Sequence, residues 1–408
     1  MVRSRLAGLA PGRRLVAALV VQVGVLALLA LHVAASPSIP VLGIGTAAAA
    51  ELTAVDLGTV GGATSRAVAL NGLGQVAGDA EISSGATHAF RWATKGPMRD
   101  LGTLGGRDSH AVAINAAGDI AGYAQTSAGA WRAVLWPARG PIRNLGTLGG
   151  ADTQATDLND QRQVVGTAKR ADGTQVAFRW TPAGGMQDLG TIGGAQSSAQ
   201  SINSLGQVAG SSTLPDGLWH AFLWAPTTGM QDLGTLGGLT SSAVAVNALG
   251  QVAGHSQTDP EAPYSYAYRW SPGEGMRLLD PCCGDITAAR AISDAGDVVG
   301  VGGPWHHGPS FALRWAPTGP ITLEQPCGAD VYPCDSNEAT DVNADGLVSG
   351  AVSTATGYQA TRWAADGQLQ YLPTLGGITS RAVAINGSGQ VAGWSQTPSG
   401  VTHAVLWR

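Results

Sequence analysis

The stretch DLGTLGGRDSHAVAINAAGDIAGYAQTSAGAWRAVLWPARGPIR, from Asp100 to Arg143, decides the fold, because seven relatives of it fill nearly all of the chain after residue 50. One tryptophan sets the phase of each unit, at spacings of 44 to 48 residues. The eight tryptophans are Trp92, Trp136, Trp180, Trp224, Trp270, Trp315, Trp363 and Trp407. A repeat of about 20–50 residues indicates a solenoid, a propeller or another array.

Each unit contains four short strand signals. The first, HAVAIN in the quoted unit, alternates small and aliphatic residues, which is typical of a half-buried strand. A tight turn follows at Asn115–Gly118, where Asn opens the turn and Gly supplies a positive φ. The second signal, DIAGY, has glycine at one fixed place, and Gly122 in that place indicates a close approach by another group. The third and fourth signals are RAVLW and IRNLG.

Four strands in about 44 residues are typical of one propeller blade. A β-solenoid is the alternative, but it would need distinct capping units, which the sequence does not contain. Leu52–Gly58 has the pattern of a fourth strand with no unit before it, and Trp407 ends a third strand with no fourth strand after it. Pairing of these two strands would remove two exposed edges. The sequence therefore predicts an all-β fold, an eight-bladed β-propeller of four-stranded blades over residues 51–408, closed by the N-terminal strand completing the last blade.

Residues 1–35 have the features of a targeting segment. Four arginines within the first 14 residues precede an apolar run from Leu15 to Ala35. Val33–Ala35 is similar to a small-residue cleavage site, which predicts a signal peptide. The apolar run is also long enough to span a bilayer, so an N-terminal membrane anchor remains the alternative. Both interpretations place the rest of the chain outside the cytoplasm, after a Pro- and Ala-rich linker at residues 36–50.

The charge distribution argues against nucleic acid as a partner. The chain has 23 Lys and Arg and 28 Asp and Glu residues, and residues 1–35 hold four Arg and no acid. The remainder therefore carries 19 basic and 28 acidic residues, a net charge of −9. Phosphate binding needs a basic stripe, and none is present. We expect a monomer that contacts a membrane only through residues 15–35, if this segment is not cleaved.

Four cysteines occur where other units have TLGG. They are Cys282, Cys283, Cys327 and Cys334. An even number of cysteines in an exported chain favours disulfides, with Cys327 bonded to Cys334 or each of these two bonded to Cys282 or Cys283. A zinc site with four thiolates is the alternative, but the C-x-x-C spacing of such sites is missing.

Two patterns that could carry chemistry have a structural interpretation. Asp341–Gly346 is similar to the start of a calcium loop, but Val352 stands where a bidentate Glu is needed, so we interpret the segment as an acidic hairpin turn. His88, His220 and His403 occupy one repeated position, which indicates a structural role. No nucleophile elbow, H-E-x-x-H motif or phosphate loop is present. The sequence thus predicts no catalytic residue, no metal site and no cofactor.

The tripeptide His-Ala-Phe suggests a family. His88–Trp92 reads HAFRW and His220–Trp224 reads HAFLW, and DLGT follows each of them. These motifs resemble the HAF-repeat proteins of bacteria. The resemblance covers roughly residues 52–408 and recurs in every unit, although Phe311–Trp315 and Gln359–Trp363 keep only its Ala and Trp. It implies an extracellular repeat protein, and it implies no activity or catalytic residue.

Aromatic residues outside the framework predict a binding face. Trp131, Trp219, Trp305 and Trp394 are expected at or in the connection between the second and third strands, on the same face as the TLGG loops. Tyr123, Tyr264 and Tyr332 are expected in loops of that face. The pair His306 and His307 occurs in one unit alone. Loops on a rigid scaffold are where binding residues usually concentrate.

One variable position opens the first strand of every unit. It is occupied by Arg66, His110, Gln154, Ser198, Ser242, Ala288, Glu338 and Arg381. Because the first strand is innermost in a blade, these residues should form a ring around the channel mouth. Aromatic faces beside hydrogen-bonding groups suit sugars or extended peptides. The sequence therefore predicts an exported, non-enzymatic binding module for a glycan or a protein segment. An extracellular polysaccharide hydrolase or lyase is the alternative, and two carboxylates with a His or Arg at the mouth would favour it.

Overall fold

A computed structural model describes residues 52–262, 264–279, 286–304, 309–325 and 336–408. The predicted targeting segment and linker lie outside these residues, as do the four cysteines, Tyr332, Trp305, His306 and His307. The described residues form 32 strands in eight antiparallel sheets of four strands each, and none of them is helical. No membrane-spanning helix is found in this part of the chain.

Each sheet is one blade, and in blades 1 to 7 the four strands follow one another in the chain. The first strands of blades 1 to 8 are β2 Ser65–Leu70, β6 Gly105–Ile114, β10 Gly149–Leu158, β14 Ser197–Ile202, β18 Ser241–Val246, β22 Ile286–Ile292, β26 Asn337–Val342 and β30 Ser380–Ile385. The second strands are β3 Val76–Glu81, β7 Ile120–Thr126, β11 Val164–Arg170, β15 Val208–Thr213, β19 Val252–Gln257, β23 Val298–Gly303, β27 Val348–Thr354 and β31 Val391–Gln396.

The third strands are β4 Thr87–Trp92, β8 Trp131–Trp136, β12 Gln175–Thr181, β16 Trp219–Ala225, β20 Ser265–Ser271, β24 Phe311–Ala316, β28 Gly357–Trp363 and β32 Thr402–Trp407. The fourth strands are β5 Arg99–Asp100, β9 Arg143–Asn144, β13 Gly185–Asp188, β17 Gly229–Asp232, β21 Gly275–Leu278, β25 Gly319–Ile321, β29 Leu369–Tyr371 and, for blade 8, β1 Ala54–Asp56. First strands of neighbouring blades contact one another all round the ring, so they are the innermost strands.

The N-terminal strand closes the ring. Ala54 pairs with Trp407 and Asp56 with Val405, so β1 is the fourth strand of blade 8. The pairing continues beyond the strand, because the Thr53 N–H donates to the Arg408 carbonyl at 2.9 Å. Both the predicted eight-bladed propeller and its predicted closure are thus confirmed.

Hydrophobic cores lie between neighbouring blades. In the core between blades 8 and 1, Phe90 and Trp92 of blade 1 pack with Ala392 and Leu406 of blade 8. The fixed glycine of the second strand makes this packing possible. A Cβ atom on Gly78 would collide with the Arg66 carbonyl oxygen and with the Phe90 ring. The predicted close approach at this glycine is therefore correct.

In most blades a hydroxyl group anchors the first strand at the residue just before the variable one. In blade 1 the Ser65 hydroxyl accepts the N–H of Ala404 from blade 8 at 2.8 Å and donates to the Gly58 carbonyl at 2.6 Å. Ser109, Thr153, Ser197 and other residues at this position accept in the same way. Because the next residue is the variable one, this contact sets where the variable side chain emerges.

Candidate functional site

The loops predicted to share one face do so. The TLGG loops, which join the fourth strand of one blade to the first strand of the next, bond to the ends of second strands. Gly62 N–H donates to the Glu81 carbonyl at 2.8 Å, and Gly194 N–H donates to the Thr213 carbonyl at 2.9 Å. The connections between second and third strands start at the same place. We call this end of the ring the TLGG face.

The variable residues lie near the TLGG end of the innermost strands. The position does not open every first strand as predicted, because β6 and β10 begin earlier, at Gly105 and Gly149. We call the variable residues the mouth ring: Arg66, His110, Gln154, Ser198, Ser242, Ala288, Glu338 and Arg381. Each is paired across to the residue that follows the fixed glycine of the second strand, and these partners form a second ring: Asp79, Tyr123, Thr167, Ser211, His255, Val301, Ala351 and Trp394. The second ring also varies in size and charge, so asymmetry is built from two positions per blade.

Blade 2 carries an aromatic cluster at the mouth. The His110 ring lies 5.1 Å from the Tyr123 ring and 5.7 Å from the Trp131 ring, and Tyr123 meets Trp131 edge to face at 5.2 Å between centroids. We call these three residues the aromatic cluster. All three are half-buried. Rings packed against one another in this way hold one another in place and leave the outer faces for contact.

Asp79 of blade 1 fixes the orientation of His110. Its Oδ2 lies 2.7 Å from His110 Nδ1, and its Oδ1 accepts the Ala111 N–H at 2.9 Å. The hydrogen bond to the Asp79 carboxylate raises the pKa of His110, although burial opposes the shift. Burial, assisted by the charge of Asp79, raises the pKa of the Tyr123 hydroxyl. The cluster is therefore polarised by one carboxylate that comes from the preceding blade.

A cleft of about 200 Å³ opens beside the cluster, between blades 2 and 3. We call it the blade 2–3 cleft. Its lining is Trp131, Asp152, Thr153, Gln154, Thr167, Ala168, Lys169 and Gln175. Asp152 Oδ1 accepts the Trp131 N–H at 3.2 Å, and Asp152 Oδ2 lies 3.5 Å from Lys169 Nζ. The Trp131 indole is thus a wall shared by the aromatic cluster and a polar cleft.

Charged mouth-ring residues lie on the other side of the cluster. Arg381 of blade 8 forms an ion pair with Glu338 of blade 7. Arg66 of blade 1 places its guanidinium carbon 5.2 Å from the centroid of the Trp394 ring. From blade 7 round to blade 3, the mouth ring therefore carries in order Glu338, Arg381, Arg66, His110 and Gln154.

An equivalent cleft of about 310 Å³ lies three blades further on, between blades 5 and 6. Eight of its lining residues occupy the same positions in the repeat as the lining of the blade 2–3 cleft, but the chemistry differs. Ile286 replaces Asp152, and Ala288 replaces Gln154. Ser265 stands in the place of Trp131. The repeat thus builds one niche twice, polar in one case and mainly apolar in the other.

The structure corrects two placements and leaves others as predictions. Trp394 does not lie in a connection but within β31, opposite Arg381. Tyr123 likewise lies within β7 and not in a loop. Both side chains reach the TLGG face because they belong to the second ring, which sequence reasoning missed. Trp219 begins β16 as predicted and pairs with Thr213. Trp305, His306 and His307 lie outside the described residues.

The repeated histidines are structural, as predicted. His88 Nδ1 lies 2.9 Å from the carboxylate of Asp100 on the neighbouring fourth strand, and His220 is placed in the same way next to Asp232. In blade 8 the equivalent partner of His403 is Asp56 in the N-terminal strand, at 2.9 Å.

The predicted hairpin turn is present at Asn343–Gly346, where the Gly346 N–H donates to the Asn343 carbonyl at 3.1 Å. Asp341, however, lies within β26 and not in the turn. Its oxygens accept the N–H groups of Val342 and, in the next blade, of Ile385. Within the described ranges no group of three or more His, Cys, Asp or Glu side chains is arranged to hold a metal ion.

Two carboxylates do approach a histidine at the mouth. Asp79 bonds to His110, and the charge of Asp108 also acts on this imidazole. Both acids have structural partners as well, since Asp79 accepts the Ala111 N–H and Asp108 accepts the Thr87 N–H at 2.9 Å. Two carboxylates and a histidine at the mouth are the combination that would favour an enzyme. Both carboxylates, however, already accept backbone hydrogen bonds.

No family model and no curated protein matches the chain. Among solved structures it is similar to TolB from Acinetobacter baumannii, with 13% identity, a TM-score of 0.39 and 61% of each chain covered. It is similar to the BP39L lectin from Burkholderia pseudomallei, with 10% identity, a TM-score of 0.39, and 79% of this chain and 99% of the lectin covered.

The β-propeller domain of the Trilobed protease from Pyrococcus furiosus has 13% identity and a TM-score of 0.49, with 76% of this chain and 97% of that domain covered. The chain spans less than two thirds of the length of TolB. These likenesses concern the fold, and they carry no argument about ligand or activity.

Proposed function

We propose that this protein is an exported, non-enzymatic module that binds a glycan on its TLGG face, with the Trp131 indole as the principal contact. The observation that carries the proposal is the position of this indole. One side of it belongs to the aromatic cluster, and the other lines the polar blade 2–3 cleft.

This arrangement suits the chemistry of a sugar. A sugar ring has apolar C–H faces and polar edges, so it needs an aromatic surface next to hydrogen-bonding groups. Asp152, Gln154, Lys169 and Gln175 supply donors and acceptors around Trp131. The cleft volume of about 200 Å³ is below the roughly 300–1,000 Å³ typical of pockets for drug-sized ligands. A single sugar unit of a longer glycan is a better match than the bulk of a protein segment.

Export is the second part of the proposal. It is supported by the arginine-rich, apolar residues 1–35 and by the resemblance to the HAF-repeat family, and membership of that family remains a prediction. A reporter enzyme that is active only outside the cytoplasm, fused after residue 50, should be active. Deletion of residues 1–35 should abolish that activity, and a reporter that stays active after the deletion would contradict export through this segment.

A glycan array probed with the labelled full chain tests the binding function. For a glycan that binds, Trp131→Ala should weaken the affinity by about 1–3 kcal/mol, the cost of removing a well-packed aromatic contact. Tyr371→Ala is the matched control, because Tyr371 is an exposed aromatic residue on an outermost strand. Absence of binding to every glycan, or equal affinity of the Trp131→Ala variant, would overturn the proposal. Trp219 and Trp394 remain predicted contacts, to be tested by the same substitution.

A polysaccharide hydrolase or lyase is the second candidate, and the grouping of Asp79 and Asp108 around His110 favours it. The two functions differ in a measurable way. Incubation with each bound glycan should release no reducing ends and no unsaturated sugars if the protein is a binding module. Product formation that is lost in Asp79→Asn would establish the enzyme instead.

A further inference from the structure

Arg66 stands at the centre of the charged part of the mouth ring, with Arg381 of blade 8 before it and His110 of blade 2 after it. Both of these neighbours have acidic partners. Arg381 is paired with Glu338, and His110 is bonded to Asp79. Arg66 differs from them, because no acidic side chain among the described residues lies within ion-pair distance of its guanidinium group.

The reason is visible in the register of blade 1. Asp79 is the cross-strand partner of Arg66 and would be expected to form an ion pair with it. Its two oxygens, however, are directed to the next blade, one to His110 Nδ1 at 2.7 Å and the other to Ala111 N–H at 2.9 Å. Among the residues that the structure describes, Arg66 therefore has no acidic partner for its charge.

The guanidinium of Arg66 is nevertheless held in place. It lies over the Trp394 ring of blade 8, at 5.2 Å from the centroid, while Arg66 itself is exposed. Stacking on an aromatic face restricts the long side chain and leaves the edge N–H donors free. Such a planar, pre-oriented donor pair matches a carboxylate, which it can bind through two parallel hydrogen bonds.

We propose that the glycan bound on the TLGG face is acidic and that Arg66 binds the carboxylate of a uronic acid unit. This inference rests on the proposed function, because it assigns the chemical class of the same ligand. The net charge of −9 after residue 35 does not prevent it. At physiological ionic strength charges are screened over about 8 Å, so the groups near the carboxylate dominate. Protonated His110 would add a second positive charge close to Arg66.

The test compares oligogalacturonate with its methyl ester, which has the same sugar backbone but no charge. Isothermal titration with the full chain should give tighter binding of the acid, and higher salt should weaken the acid more than the ester. Arg66→Gln should weaken binding of the acid by about 10-fold or more, the usual effect of losing a charged hydrogen bond, and should leave binding of the ester nearly unchanged.

Arg139→Gln is the matched control, because Arg139 is exposed in the connection between a third and a fourth strand. Equal affinity for acid and ester, or an equal loss for both ligands in Arg66→Gln, would overturn the acidic specificity and leave glycan binding standing. Binding of neither ligand, together with no binding of any glycan on the array, would overturn both. Neutral glycans that bind while every uronate fails would overturn this inference alone.

Discussion

Asn386 Nδ2 donates a hydrogen bond to the main-chain carbonyl of Asn71 at 3.1 Å, although 315 residues separate them. The same contact joins Asn71 to Asn115, Asn115 to Asn159, and so on through most of the ring. Each asparagine opens the hairpin turn of its own blade and also bonds to the next blade. The seam between the last and first blades is therefore built like the other joints, on the face opposite the TLGG loops.

Replacing Asn386 tests whether the seam contributes to stability. Asn203 makes the corresponding bonds within blade 4 and to Asn247 of blade 5, except that Asn386 also accepts a hydrogen bond from the Ser388 hydroxyl. Because a closed ring makes both joints equivalent, Asn386→Ala and Asn203→Ala should each lower the free energy of unfolding by about 1–3 kcal/mol. Urea denaturation measures both. A loss in Asn203→Ala alone would mean that the ring opens at the seam in solution.

The N-terminal strand should matter more than any one of these bonds. Deletion of residues 52–58 removes the pairing of Ala54–Asp56 with Val405–Trp407 and exposes an edge of blade 8. Open edges destabilise a sheet and promote aggregation. The variant should melt at a lower temperature and aggregate more readily in light scattering. Removal of seven residues within the predicted linker, residues 36–50, serves as the control, and equal melting of all three proteins would refute closure.

The sequence was sufficient for the fold because one pattern repeats eight times, and each copy repeats the evidence for four strands. The sequence was also sufficient to place the mouth ring, since the position of a residue such as Arg66 in the first strand predicts the face of the propeller on which it lies. The site itself was harder to predict. Whether Asp79 bonds to Arg66 in its own blade or to His110 in the next depends on how two sheets pack. Nothing in the period of the repeat determines that choice, so the aromatic cluster was missed as a unit.

Two half-buried aspartates should make the fold sensitive to pH. Asp157 Oδ2 in blade 3 accepts the Ile202 N–H of blade 4 at 2.8 Å. In the same way, Asp341 in blade 7 accepts the Ile385 N–H of blade 8. Burial raises the pKa of each carboxyl to about 6, against the hydrogen bonds that favour the charged form. The folded protein thus holds these protons more tightly than the unfolded chain, where the ordinary value is 3.8.

The contribution of these two groups to the free energy of unfolding is therefore fully present below about pH 4 and is lost as the pH rises through about 6. The loss is at most about 3 kcal/mol for each group, and the partial exposure of both residues makes it smaller. The double variant Asp157→Ala/Asp341→Ala should flatten the fall in unfolding free energy between pH 4 and 7. Other blades have Ala at this position, as at Ala69 and Ala113, so folding should persist. An unchanged pH dependence in denaturant titrations would contradict the assignment.

The link between Asp79 and His110 can be measured before any ligand is known. The carboxylate raises the pKa of His110, so its stabilising effect is fully present below the ordinary histidine value and fades as the pH rises through the folded value. Asp79→Asn keeps the shape and can still accept the Ala111 N–H, but it removes the charge. NMR titration of the imidazole protons should then show a lower pKa for His110. An unchanged His110 titration would mean that Asp79 does not orient this ring in solution, and the polarised cluster next to Trp131 would have to be abandoned.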